Sequence, residues 1–384
     1  MTEVQDILTK LAGFDTTSSK TNRALIDFAR DFLDAHKIPS EPIETGDNGK
    51  ACLWATLGPA ETEGGLILAG HTDTVPVEGQ DWASDPFILA ERDGKLYARG
   101  AADMKGFIAC VLAVAALHAR TPLKKPVHIA LTHDEETDMS GAARLIEHLK
   151  KRGIKPGWAW IGEPTGLAVV DTHKGVAAFK TDITGIAGHS GQPERGLNAI
   201  SLGARFIDII ERVAEARKKN PVAGSRFAPP GTTFNLGTIH GGTAENIIAE
   251  HCEILWQVRA HPGDDLNQTL GEIDRMAGEE IAPRLRPFAP RAKMKTCTCF
   301  DIPPLLADEA NPGRASLLRL TGREGAEAVS FATEGGFYQK LGCPAVICGP
   351  GHIDQAHKAN EYVEKSQLAA CSDLLNRALA EITA

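Results

Sequence analysis

The chain has 384 residues, of which 42% are hydrophobic and 24% are charged, and its net charge is −9. These totals predict a globular protein with room for two or three domains and a large core. An acidic chain argues against a nucleic-acid or anionic-membrane partner.

The first part of the chain alternates between helix and strand patterns. We predict helices over about 2–12, 21–37 and 106–119, and strands over about 51–58, 65–70, 126–133 and 157–162. Apolar strands separated by helices indicate an α/β layer whose sheet is covered on both faces. No apolar run is expected to reach the length of a membrane span, and the first ten residues predict an amphipathic helix rather than a secretory signal.

The pattern changes near residue 176. The predicted elements that follow are a half-exposed strand over 176–188, a helix over 196–218, strands over 232–240 and 246–260, a helix near 266–285 and a strand near 291–299. This β-α-β-β-α-β order is typical of a small domain with one solvated sheet face.

The α/β pattern resumes after the segment DIPPLL. We predict helices over 313–321 and 364–381 and strands over 327–331 and 344–348. The chain is therefore predicted to contain a discontinuous first domain, residues 1–175 plus 303–384, and an inserted second domain, residues 176–302.

Eight cysteines are spread along the chain. Only Cys297 and Cys299 lie close together, as C-x-C in KTCTCF, and no second pair completes a zinc-binding set. We therefore expect reduced structural thiols in a cytoplasmic protein.

Polar clusters recur where strands of the first domain are predicted to end, which is where open α/β sheets bind ligands. They contain His71 and Asp73 in GHTD, Asp103 in GAADMKG, Glu135 and Glu136 in THDEET, Glu163 in IGEPT, and His357 in QAHK. Each has a purely structural alternative. A lone histidine at a strand end is more often a satisfied structural residue, Glu135 and Glu136 could be solvated loop charges, and Asp103 could cap the helix that begins near Gly106.

Taken together, the clusters favour a metal site. Two histidines and three carboxylates match the ligand set of a two-zinc centre. Such a centre needs a bridging carboxylate, terminal ligands for each ion and a free carboxylate near the attacking water. Because Glu135 and Glu136 are adjacent, their side chains must point in different directions, so one can bind metal while the other faces the water.

Seven ordered motifs resemble those of one family. They are GHTDTVP, ARGAADMKG, HDEET, IGEPT, GHSGQP, NLGTIHGGTAENII and GPGHIDQAHKANEYV, within roughly residues 65–365. They are similar to the motifs of the dinuclear zinc hydrolases related to acetylornithine deacetylase, succinyl-diaminopimelate desuccinylase, aminoacylase and glutamate carboxypeptidase. The resemblance implies an α/β, mixed-sheet, aminopeptidase-like catalytic domain over 1–175 plus 303–384, with an inserted α+β lid and dimerisation domain over 176–302.

The resemblance also implies metal ligands. His71 and Glu163 would bind one zinc ion, although cobalt or manganese could occupy similar sites. Glu136 and His357 would bind the second ion, and Asp103 would bridge the two. Glutamate rather than aspartate at position 163 resembles the deacetylase and carboxypeptidase branch rather than the aminopeptidase branch.

Further roles follow from the same resemblance. Asp73 would hold the His71 ring, and Glu135 would be the general base that takes a proton from the attacking water and returns it to the departing amine. The peptide bond between Asp103 and Met104 would be cis. The substrate would be the N-acyl amide of an amino acid.

Three residues of the inserted domain match residues that act on the substrate. His189 would donate to the tetrahedral oxyanion from the partner subunit of a homodimer, and Asn246 and Arg259 would hold the substrate backbone. Without the resemblance, His189 is better explained as a turn residue and Asn246 equally well as a polar residue that closes a turn. The chain departs from the family at Gln257, where relatives usually have aspartate, so the orientation of Arg259 could differ.

Two features bear on the substrate. The His173-Lys174-Gly175 step resembles acetylornithine deacetylases, whereas desuccinylases tend to have an arginine-rich step there. Glu334 stands where desuccinylases have a serine-type residue, and it could pair with the ammonium group of ornithine or cap a helix over 335–342.

These features predict hydrolysis of N2-acetyl-L-ornithine, a step of arginine biosynthesis. The alternatives are another N-acyl amino acid, such as succinyl-diaminopimelate, and a non-catalytic binding relative, which should have lost a ligand or the base. No ligand residue and no base is missing from the sequence.

Overall fold

The chain divides into two units in a computed structural model that describes residues 2–45 and 49–382. The first unit contains Met1–Thr172, Leu305–Ala328 and Thr333–Ala384, and the second contains His173–Pro304 and Val329–Ala332. The predicted domain boundaries, after residues 175 and 302, lie close to two of these divisions. That the second unit acts as a lid and forms a dimer stays a prediction.

Both units are built from helices and strands. The helices, in chain order, are α1 (Thr2–Ala12), α2 (Arg23–Ala35), α3 (Gly106–His118), α4 (Ser140–Lys151), α5 (Ala199–Lys219), α6 (Leu266–Glu280), α7 (Ala282–Leu285), α8 (Pro312–Thr321), α9 (Gly335–Lys340) and α10 (Lys365–Ala380). The strands are β1 (Ser40–Glu44), β2 (Ala51–Leu57), β3 (Leu66–His71), β4 (Ala90–Arg92), β5 (Lys95–Tyr97), β6 (Val127–Thr132), β7 (Trp158–Ile161), β8 (Val170–His173), β9 (Gly175–Thr184), β10 (Thr233–Gly241), β11 (His251–Ala260), β12 (Lys293–Ile302), β13 (Glu327–Val329), β14 (Ala345–Ile347) and β15 (Tyr362–Glu364).

The main sheet is mixed, with strand order β1-β2-β6-β3-β7-β14-β8-β13. Its four central strands, β6, β3, β7 and β14, run parallel to one another, whereas β1, β2 and β8 pair antiparallel with their neighbours. Every residue of β3 and β6 is buried, as expected for parallel strands that helices cover on both faces. The carboxyl ends of the central strands therefore meet at one edge of this sheet.

Helix α3 forms part of the core beside this sheet. By length and composition, the segment Ala101–His118 could cross a membrane, contrary to the expectation from the sequence, but 83% of it is buried in the structure. Its first ten helical residues are all buried. A helix that is apolar all round is typical of a core helix in a large domain.

The second unit contains a four-stranded antiparallel sheet in the order β10-β11-β9-β12. The observed order β9-α5-β10-β11-α6-β12 confirms the predicted pattern of strands and helices. In β11 the even-numbered residues are buried and the odd-numbered ones are exposed or partly buried. Trp256 stacks on Phe179 at 4.4 Å between ring centroids, so the core of this unit lies on the face that carries the helices.

Several elements differ from the prediction. Strand β11 begins at His251 rather than at 246, and the predicted helix over 266–285 is divided after Glu280, with Pro283 in the first turn of α7. Helix α4 and the small sheet of β4, β5 and β15 were not predicted. All eight cysteines are free, as expected.

Candidate metal centre

The predicted metal ligands of the first unit gather at the edge where the central strands end. His71 is the last residue of β3, Glu136 follows β6, and Glu163 lies two residues after β7. Asp103 comes from a distorted helical turn, Ala101–Lys105, that precedes α3 and contains the expected cis peptide bond to Met104. Parallel strands bring these distant segments together because their carboxyl ends point to the same edge.

One group of possible ligands contains His71, Asp103 and Glu163. One atom from each lies within 4.8 Å of the others, and all three residues are buried. The distance from His71 Nε2 is 3.0 Å to Asp103 Oδ1 and 4.0 Å to Glu163 Oε1. Glu163 Oε1 has no hydrogen-bond partner among the described residues although it is buried. Buried carboxylate oxygens normally have a hydrogen-bond partner. Because this oxygen has none within the described chain, it is available to bind a cation.

A second group contains Asp103, Glu136 and His357. His357 Nε2 lies 3.0 Å from Glu136 Oε2 and 3.4 Å from Asp103 Oδ2. The His357 side chain is 53% exposed, so this group is open on one side. The two oxygens of Asp103 thus face different groups, Oδ1 the first and Oδ2 the second, which is the arrangement required of a bridging carboxylate.

The electrostatics of the cluster also suit cations. Burial and the nearby Asp103 carboxylate raise the pKa of Glu163 well above its ordinary value. Burial would raise the pKa of Asp103 as well, but hydrogen bonds to His357 and His71 lower it. Hydrogen bonds to Asp103 and Glu136 raise the pKa of His357 to about 10. Crowded carboxylates and imidazoles are a nitrogen and oxygen donor set that suits zinc and related divalent ions, so the described residues could hold two metal ions.

Glu135 belongs to the cluster without belonging to either ligand group. It is partly buried, and burial together with the Glu163 carboxylate raises its pKa well above the ordinary value. The adjacent Glu136 lies in the second ligand group. The two neighbouring carboxylates therefore have different positions, and the role of Glu135 as general base stays a prediction.

Asp73 contacts more than the His71 ring. The Nδ1 atom of His71 lies 2.9 Å from the backbone carbonyl oxygen of Asp73 and 3.7 Å from its carboxylate. The carboxylate accepts hydrogen bonds from the backbone N–H groups of Glu135, at 3.1 Å, and Glu136, at 3.3 Å, and from the Ser18 hydroxyl, at 2.7 Å. It thus fixes the backbone of two candidate site residues, a contact that the sequence did not indicate. Ser18 was not singled out because no motif contains it.

We expect the substitution Asp73→Asn to reduce kcat or metal affinity by about 10- to 100-fold, as is usual when a partner of a metal ligand is lost. The amide group of asparagine presents N–H to at least one of the backbone donors, so the loop of Glu135 and Glu136 loses a fixed contact. Kinetics and metal titration measure the effect, and circular dichroism verifies the fold. Ser18→Ala removes one hydrogen bond to the same carboxylate but neither backbone contact, and it should retain most activity. Equal effects of the two variants would show that the backbone contacts are unimportant.

The predicted substrate-binding residues of the second unit lie in two places within it. His189 and Asn246 are exposed and lie near each other, since His189 pairs with Ile247 in a β-bridge and Ser190 N–H donates to the Asn246 carbonyl at 3.1 Å. Arg259 lies in β11, and Gln257 lies two residues before it on the same face, away from the helices. Burial lowers the pKa of Arg259. Their roles toward a substrate stay predictions.

Glu334 occupies the N-cap position of α9, and its side chain makes no capping hydrogen bond. Only 1% of its surface is exposed, and neither carboxylate oxygen has a hydrogen-bond partner in the part of the chain that the structure describes. Burial raises its pKa to about 7, and the nearby Thr132 hydroxyl and His71 act in the opposite direction. Glu334 thus lies at the helix N-terminus that the structural alternative requires, and a role in substrate binding stays a prediction.

Comparison with known proteins shows clear relatives. The model of a family described as peptidase family M20/M25/M40 matches residues 67–381. One curated relative, the acetylornithine deacetylase of Pasteurella multocida (strain Pm70), is 36% identical over 374 residues, which are 97% of this chain and 94% of the relative. The resemblance inferred from the seven motifs is confirmed.

Solved structures with little sequence identity share the fold. A tripeptidase from Staphylococcus aureus matches with a TM-score of 0.74 at 18% identity and covers 99% of this chain and 98% of its own. A dinuclear metal-binding peptidase of the M20 family from Bacillus subtilis matches with a TM-score of 0.69 at 16% identity and covers 99% and 98%. The predicted α/β class, with a mixed sheet and an inserted α+β domain, is confirmed.

Proposed function

The chain belongs to peptidase family M20/M25/M40 and is a metal-dependent hydrolase, and on that premise we propose that it hydrolyses N2-acetyl-L-ornithine to L-ornithine and acetate. The observation that carries the hydrolytic part of this proposal is the pair of ligand groups that share Asp103. The substrate is supported by the relative named acetylornithine deacetylase, which is 36% identical over most of both chains. The ornithine produced would serve arginine biosynthesis.

The proposed chemistry assigns a task to each residue of the centre. His71 and Glu163 would hold one divalent ion, proposed to be zinc, Glu136 and His357 would hold the other, and Asp103 would hold both. Such ions polarise the amide carbonyl and lower the pKa of water.

Glu135 would then carry the proton of the reaction. It accepts a proton from the water as the water oxygen bonds to the carbonyl carbon. It delivers that proton to the nitrogen as the carbon–nitrogen bond breaks, so that acetate and the free amine leave. Because Glu135 belongs to neither ligand group, its carboxylate is free for this proton transfer. His189 is proposed as the donor to the oxyanion, and Asn246 and Arg259 as contacts of the substrate backbone.

The Glu334 carboxylate favours a substrate whose side chain is positively charged. A buried carboxylate is costly unless it is paired with a positive charge, and an ammonium group would supply that charge to Glu334. The distal carboxylate of a succinyl or diaminopimelate group would instead be repelled. A substrate with an ammonium side chain is therefore favoured over the alternative of succinyl-diaminopimelate.

We expect kcat/KM to be at least about tenfold higher for N2-acetylornithine than for acetylcitrulline, acetylmethionine or succinyl-diaminopimelate, since a lost hydrogen bond to a charged group costs about 1.5–3 kcal/mol. Steady-state kinetics on this panel tests the substrate. Glu334→Gln keeps the shape of the side chain and should raise KM for acetylornithine more than for acetylmethionine. A preference for a neutral or doubly acidic substrate would contradict the ornithine assignment, and equal effects on both KM values would remove the role of Glu334.

Location and assembly complete the proposal. We infer a cytoplasmic enzyme from the eight free cysteines, and a homodimer formed through the second unit from the family resemblance. Light scattering on the purified protein tests the dimer, and a monomer at micromolar concentration would contradict it.

A further inference from the structure

We propose that Glu361 is a positioning residue for the metal centre, because its carboxylate fixes the turn that carries Asp103 and joins it to the loop that carries His357. The inference rests on the proposed two-metal function. Glu361 lies four residues after His357 and 1% of its surface is exposed. It belongs to neither ligand group.

Both oxygens of Glu361 are used. Oε1 accepts hydrogen bonds from the backbone N–H groups of Ala102, at 2.9 Å, and Asp103, at 3.1 Å. Oε2 accepts from the Gly100 N–H at 3.0 Å and from the Arg99 guanidinium at 2.7 Å. Three backbone amides in a four-residue segment thus donate to a single carboxylate.

The turn needs such an acceptor because its backbone is not regular. Gly100 has a φ of +80°, and Asp103 and Met104 have φ/ψ of −122°/88° and −137°/35°, so a continuous helical hydrogen-bond ladder does not run through this segment. A buried N–H group without a hydrogen-bond partner destabilises the folded state. Glu361 supplies the partner for the N–H of Asp103 itself, so the bridging carboxylate is held through its own backbone.

Arg99 extends the contact to neighbouring loops. It is as deeply buried as Glu361, with 1% of its surface exposed. Its guanidinium donates to the Lys358 carbonyl at 3.3 Å and to Gln80 Oε1 at 2.6 Å, and Gln80 Nε2 donates to the His357 carbonyl at 3.2 Å. A buried ion pair with these hydrogen bonds fixes geometry even where its net contribution to stability is small. The backbones of Asp103 and His357, which both belong to the second ligand group, are therefore held by the same hydrogen-bond network around Glu361 and Arg99.

The substitution Glu361→Gln tests the inference. Glutamine has nearly the same volume as glutamate. Its amide NH₂ group replaces one carboxylate oxygen, however, and cannot accept the hydrogen bonds that the backbone N–H groups donate there. We expect the affinity for zinc, measured without substrate by competition with a chelator, to fall by about 10- to 100-fold, mainly at the second ion. At limiting zinc kcat should fall while KM stays constant, and excess zinc should partly restore kcat.

Asp171→Asn is the matched control. It also removes a buried carboxylate that pairs with an arginine, since Asp171 Oδ2 lies 2.8 Å from Arg314 Nε, and it is in neither ligand group. This variant should lower Tm but leave zinc affinity unchanged. Wild-type zinc affinity in folded Glu361→Gln would overturn the inference, whereas failure of the wild-type protein to bind two ions would instead contradict the proposed function.

A second measurement covers the case in which Glu361→Gln does not fold. In the metal-free wild-type protein, hydrogen exchange at the amides of Ala102 and Asp103 should be as slow as in α3, because Glu361 accepts from both. Exchange as fast as in exposed loops would overturn the inference.

Discussion

Glu135→Gln is expected to lower kcat by about 10²- to 10⁴-fold, the usual contribution of a general base, while two metal ions stay bound. The residue lies in the cluster but in neither ligand group. Glutamine has nearly the same shape and keeps the backbone N–H that donates to Asp73, so the loop should hold its position. What is lost is the ability to accept a proton. Steady-state kinetics combined with metal analysis of the same sample separates these two effects.

Glu136→Gln is a sharp contrast because it makes the same chemical change at the next residue. Glu136 lies in the second ligand group, and its Oε2 is 3.0 Å from His357 Nε2. We expect this variant to lose one metal ion, and Glu135→Gln to lose none. If Glu135→Gln retained a tenth or more of the turnover, another group would have to accept the proton. If it lost metal, Glu135 would be a ligand rather than the base.

Much of the main sheet could be predicted because parallel strands have a strong sequence pattern. Strand β3 is a continuous apolar run and β6 is mostly apolar, and both end in polar motifs. The strands β4, β5 and β15 have only three residues each, and they form a sheet because β15 joins β5 from a distant part of the chain. No local pattern of three residues specifies such a pairing. Residues 247–249 are apolar and continue the pattern of β11, but they form no strand beyond an isolated bridge at Ile247, which explains the wrong start of that strand.

The site was predictable in its members but less so in its contacts. Strand ends and motif order indicated the ligands. Residue types alone could not show which of Glu135 and Glu136 binds metal, because the two adjacent residues are identical. Glu361 accepts from an amide 258 residues earlier in the chain. Contacts of that range depend on the whole fold and leave no trace in local spacing. Likewise, the Asp73 carboxylate was expected at the His71 ring, whereas it accepts hydrogen bonds from the Ser18 hydroxyl and from two backbone amides after β6.

The bridging role proposed for Asp103 leads to the second large effect. Asp103→Asn should reduce bound metal from two ions to one or fewer and lower kcat by at least about 10³-fold, because two-metal catalysis requires both ions. Asp103 is the residue that both ligand groups share, and its two oxygens face different groups. Asparagine keeps the size of the side chain but has one oxygen and no charge, and its amide nitrogen cannot serve as the second ligand atom. Metal analysis after dialysis against zinc gives the stoichiometry.

Removal and return of metal distinguish loss of the bridging carboxylate from its weaker positioning. The wild-type protein should lose activity when it is dialysed against a chelator and regain it with added zinc, whereas Asp103→Asn should not regain activity even in excess zinc. Glu361→Gln should respond to excess zinc, since that variant retains the Asp103 carboxylate and only holds it less firmly. Excess zinc can raise the occupancy of a site whose ligands are all present but less firmly held. It cannot replace the ligand oxygen that Asp103→Asn removes. If Asp103→Asn bound two ions with wild-type activity, the two ligand groups would have to act independently, and a shared water between the ions would no longer explain the reaction.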